Sequence, residues 1–184
     1  MPTIAPRSAR FPGRLALAVL FPVVSALVLV IAPAPAHAAV GDFTCTASAY
    51  DSYAPGIQTT PILQHETFAV SYSACQSSSQ PSITSGTTSS NAVAVRRCLN
   101  TAPTDSATST ITWNTGRTST FAGTITASYV ANQTVLTWQG TVTSGVFTGA
   151  GFTETISQSN FSPLACATPP GVTSQSGTGT LVSS

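Results

Sequence analysis

Of 184 residues, 42% are hydrophobic and only 6% charged, with no lysine and two histidines. A soluble domain carries about 25% charged residues, so water is held at this surface by neutral hydroxyls. The basic residues are Arg7, Arg10, Arg14, Arg96, Arg97 and Arg117; they form no basic stripe of the kind a phosphate backbone needs, which excludes nucleic acid.

The chain begins with an arginine-bearing, acid-free stretch, an apolar run Leu15 to Ile31, and the small residues Ala32-Pro33-Ala34-Pro35-Ala36-His37-Ala38. This order reads as a secretory signal peptide over 1–38, cleaved after Ala38. The apolar run is shorter than the roughly 20 residues of a spanning helix and holds Pro22, so no membrane association is expected after cleavage. The remaining domain, 39–184, keeps three arginines against Asp42, Asp51, Glu66, Asp105 and Glu154, a formal charge of −2 where the whole chain has +1. It also holds 29 Thr and 23 Ser. Large apolar residues run throughout it, so it can bury a core where a disordered stalk cannot.

Alternation of threonine, valine and aromatics then predicts strands in chain order. Phe43, Cys45, Ala47 and Ala49 share one face; Phe68, Val70 and Tyr72 share the next. Val93, Val95, Arg97 and Leu99 alternate in a third strand, and 108–113 forms a fourth. The turn Asn114-Thr115-Gly116-Arg117 returns the chain through 118–131, and Asn132-Gln133 turns it again into 134–143. A last pair, 146–157 and 172–182, flanks a proline-bearing loop, 163–170. About seven or eight antiparallel strands predict one all-β domain, a β-sandwich or small barrel.

Four cysteines in an exported chain read as two disulfides. The favoured pairing is Cys75 with Cys98, bracketing the polar loop Gln76 to Asn91, and Cys45 with Cys166, tying the ends of the domain together. No ligand spacing for a metal is present, and no cofactor is expected.

The segments Thr110 to Phe121, Gly140 to Gly149 and Cys166 to Leu181 resemble those of small secreted four-cysteine β-sheet proteins of actinomycetes. The resemblance covers about the last eighty residues well and the earlier part loosely. It implies an exported all-β domain and brings no activity, ligand or site residue with it.

Catalytic patterns fail one by one. His65-Glu66 begins the zinc protease motif, but position 69 is alanine. No serine stands in a GxSxG turn. His65 with Asp51 or Asp105 would make a triad only by geometry, and five scattered acids read most simply as solvated charges. The expectation is a secreted, non-catalytic extracellular module for a cell-envelope, polysaccharide or protein partner. Trp113 and Trp138 are the candidate ligand-stacking rings, against a plain core role. The alternatives are a protease inhibitor whose loop is framed by Cys75 and Cys98, and a hydrolase using His65.

Overall fold

The computed structural model describes residues 42–98, 104–130, 133–159 and 162–184; the expected signal peptide and its cleavage point lie outside the described residues. Eight strands follow one another: β1 (Phe43–Ile57), β2 (Ile62–Ser77), β3 (Gly86–Arg96), β4 (Asp105–Trp113), β5 (Thr118–Val130), β6 (Gln133–Gly145), β7 (Gly151–Ser159) and β8 (Val172–Ser183), with a short helix α1 (Pro163–Ala167) before the last. Each strand pairs antiparallel with its sequence neighbour, and β8 closes on β1. The all-β expectation therefore resolves to a closed eight-stranded up-and-down barrel.

Strand alternation sorts the side chains as a barrel requires. In β1, Phe43, Cys45, Ala47 and Ala49 are buried while Thr44, Thr46, Ser48 and Tyr50 are exposed. β7 buries Phe152, Glu154, Ile156 and Gln158 in the same rhythm. In β3, Val93 and Val95 face outward, exposed beside Leu63 of β2.

One barrel end is filled by aromatic rings. Phe147 packs on Phe43 at 4.6 Å and meets Trp113 edge to face at 5.8 Å. The turn after β6 holds Phe147 at φ 66, between Gly145 at φ 84 and Gly149 at φ 90. A left-handed phenylalanine costs about 1–2 kcal/mol, and burying its ring in the barrel end offsets that. Trp113 donates from Nε1 to Ser119 Oγ at 2.8 Å, and that hydroxyl donates to the Val146 carbonyl at 2.6 Å, so the ring is buried with its polar atom satisfied.

Both expected disulfide pairings are overturned. The bridges are Cys45–Cys75 and Cys98–Cys166. The polar stretch after Cys75 is not a free loop, because from Gly86 onward it is strand β3, paired with β2 from Tyr72↔Gly86 to Ile62↔Arg96. Eleven residues of strand separate the ends of β3, about 3.3 Å each, which is far beyond the roughly 7 Å reach of a disulfide. Cys75 thus lies at the aromatic end. Cys98 lies at the other, where it meets Cys166 of α1 beside Tyr53 and Ile57.

The barrel closes through a short β3–β4 ladder. Among the described residues, β3 and β4 pair only at Gly86↔Trp113 and Thr87↔Thr112, whereas β4 and β5 pair from Asp105↔Ile125 to Thr112↔Thr118. Beyond Thr87 no ladder pair joins the two strands among the described residues, which leaves a lateral seam bridged near its start by the hydroxyls of Thr88 and Ser109 at 2.7 Å.

Candidate ligand-binding site

The seam leads to a cavity of about 120 Å³ inside the barrel. Its mouth is formed by Ser90 of β3 and by Ala107, Thr108 and Ser109 of β4; its walls by Phe68, Ile125, Leu136 and Ile156; its inner end by Tyr72, Trp138 and Glu154. Exposed Thr108 and Ser90 belong to the same lining as buried Glu154, so the cavity runs from the outer surface to the interior.

Glu154 is 4% exposed. Tyr72 Oη donates to its Oε1 at 2.8 Å. Burial pushes the carboxyl up to about 7, against the pull of the tyrosine bond, and the same neighbourhood pushes the Tyr72 phenol above its usual range. Trp138 stands directly opposite Glu154 in the β6–β7 register, so the two side chains project from neighbouring positions on one face. Its ring packs on Phe152 at 4.8 Å and Phe121 at 6.1 Å. The indole Nε1–H is buried without a hydrogen-bond partner, a condition that costs about 1–3 kcal/mol.

A second polar group lies toward the other end of the interior. Asp51 Oδ2 accepts from Gln158 Nε2 at 2.6 Å, while Asp51 Oδ1 and both amide atoms of buried Gln64 have no partner. Burial lifts the Asp51 carboxyl to about 6, opposed first by the Gln158 bond. Glu66, half-buried nearby, is paired with Arg96 at 2.9 Å.

The expected site residues land differently. Trp113 and Trp138 are buried at 2% and 6% exposure, so neither offers a stacking platform on the outer surface; Trp113 is core and Trp138 lines the cavity. His65 is exposed on the outer face of β2, opposite Ala54 and Val93, and the barrel wall separates it from inward Asp51. The inhibitor frame is absent, since Cys98 pairs with Cys166 and Arg96 is engaged with Glu66. Among the described residues no group of three His, Cys, Asp or Glu could hold a metal ion.

Reading the acids as solvated charges missed Glu154, Asp51 and Asp42, all buried. The signal was present for two of them: Glu154 falls in step with Phe152 and Ile156, and Asp51 continues the alternation of Phe43 to Ala49. Asp42 is held differently. Burial opposes its ionisation, yet bonds from Ser79, Ser78 and Ser77 hold its carboxyl below the usual value.

No family model, curated protein or solved structure matches the chain.

Proposed function

We propose that this is an exported, non-catalytic binding protein that takes a small, largely apolar molecule into the barrel interior through the β3–β4 seam. The observation that carries this reading is the seam itself. Among the described residues β3 and β4 share two ladder pairs, where β1–β2, β5–β6 and β6–β7 pair along most of their length, and this gap opens on a cavity with apolar walls and a few polar groups at its inner end. Such a lining is characteristic of small-molecule sites, and eight-stranded barrels have room for one small ligand. Burial of both tryptophans favours this ligand class over a polysaccharide laid across the surface. Export is supported by the two disulfides, which persist in oxidising compartments.

The test is calorimetric titration of the disulfide-intact protein with one-ring apolar compounds and, in parallel, with soluble polysaccharides. Saturable binding of the former, abolished by Ala107→Trp at the mouth, is expected. Binding confined to polysaccharides, or binding of small molecules unaffected by Ala107→Trp, would refute interior binding.

A further inference from the structure

The chemistry of the cavity's inner end narrows the ligand. At the mouth, the Thr88 and Ser109 hydroxyls are bonded to each other. Deeper in, the Tyr72 hydroxyl is committed to Glu154. At the inner end two polar groups remain for a ligand, the unpartnered Nε1–H of Trp138 and the carboxyl of Glu154, placed opposite each other by register. An indole N–H can only donate, so the ligand atom that satisfies it must be an acceptor. A ligand anion would be set against Glu154, and an ammonium has no acceptor to offer Trp138. The cavity of about 120 Å³ approaches the roughly 150 Å³ that accommodates a benzene ring.

We infer that the ligand is a neutral molecule about one ring in size whose buried end carries a single hydroxyl or carbonyl oxygen, accepting from Trp138 Nε1–H beside Glu154. This rests on the interior-binding reading above. Burial supports the neutral preference, because it disfavours the ionised form of Glu154 and leaves its carboxyl able to donate to the same oxygen.

The experiment compares toluene, benzyl alcohol, benzylamine and benzoate by titration at mildly acidic pH, on the wild-type protein and on Trp138→Phe. Benzyl alcohol is expected to bind about tenfold more tightly than toluene, the size of one well-made buried hydrogen bond, and both charged analogues more weakly than either. Trp138→Phe keeps an aromatic ring and should remove most of the alcohol's advantage while toluene still binds. Independently of any variant, the indole N–H resonances of the ¹⁵N-labelled wild-type protein give a direct reading. Trp113 is already bonded to Ser119, so one indole signal should move downfield with benzyl alcohol and stay in place with toluene. Equal affinity for toluene and benzyl alcohol, tighter binding of a charged analogue, or an unmoved indole signal at saturation overturns this inference and leaves interior binding standing. If none of the four compounds binds, the interior-binding reading falls and takes this one with it.

Discussion

Glu154 shows how one buried side chain sets the response of the molecule to pH. Its carboxyl moves from an ordinary 4.5 to about 7 on burial, so the folded protein holds this proton more tightly than the unfolded chain. The stability it contributes is fully present below about 4.5 and is lost as pH rises through about 7. Asp51, raised from 3.8 to about 6, acts in the same direction over a lower window. Asp42 acts oppositely, its stabilisation disappearing as pH falls below the ordinary carboxylate range. The melting temperature is therefore expected to fall between pH 5 and pH 8, as followed by circular dichroism. Glu154→Gln retains an acceptor for Tyr72 and should flatten that slope, recovering about 3 kcal/mol at the alkaline end. Trp113 gives the complementary case, a ring wholly in the core with its N–H satisfied. Trp113→Ala should cost about 3–5 kcal/mol in chemical denaturation, and a smaller loss would mean that the aromatic end repacks.

Among the elements, the start of β1 and the end of β2 explain why strand legibility did not extend to the disulfides. The register runs Thr44↔Gln76 and then Thr46↔Ser73, so Cys45 is opposed by both Ala74 and Cys75. Ala74 sits at φ 49, and this bulge turns Cys75, which simple alternation from Tyr72 would send outward, back onto the face of Cys45. A bulge at an alanine leaves no composition signal. The strands themselves were legible because threonine and β-branched residues alternate with large apolar ones along them. The stretch 86–91 was not, since Gly86-Thr87-Thr88-Ser89-Ser90-Asn91 contains no large apolar residue, and it becomes strand by pairing with β2. The cavity is legible only in part: the sequence offers Trp138 as a ring for stacking on a ligand, but which side of the sheet it faces depends on closure. The bridges span 30 and 68 residues, so on the loop-entropy view removing either should cost about 4 kcal/mol. Replacing Cys98 and Cys166 by serine should loosen α1 and the end of β3 selectively, whereas replacing Cys45 and Cys75 should loosen the start of β1. Proteolysis and hydrogen exchange of the two double variants would separate these effects.

At the scale of the whole barrel, the wall is uneven in a way that fits an entrance. β8 packs so closely on β7 that a Cβ added at Gly179 would come within 1.7 Å of the Thr155 carbonyl oxygen, and β5 and β6 stay paired from Ser119↔Gly145 to Val130↔Gln133. Against these tight neighbours stands β3, whose residues after Thr87 have ladder partners only on the β2 side among the described residues. Backbone amides that face the seam lack the cross-strand bond that slows exchange, while those of β5 and β6 are protected by both neighbours. Hydrogen exchange is thus expected to rank β3 residues 88–96 and the facing part of β4 as the fastest strand segments of the barrel, with β5 and β6 among the slowest. Occupying the cavity should slow exchange along the seam and leave β5 and β6 nearly unchanged, because a ligand passing between Ser90 and Ala107 rests on both seam strands. Uniform protection across all eight strands in the free protein would mean that the seam is closed in solution, and the lateral route into the interior would have to be abandoned.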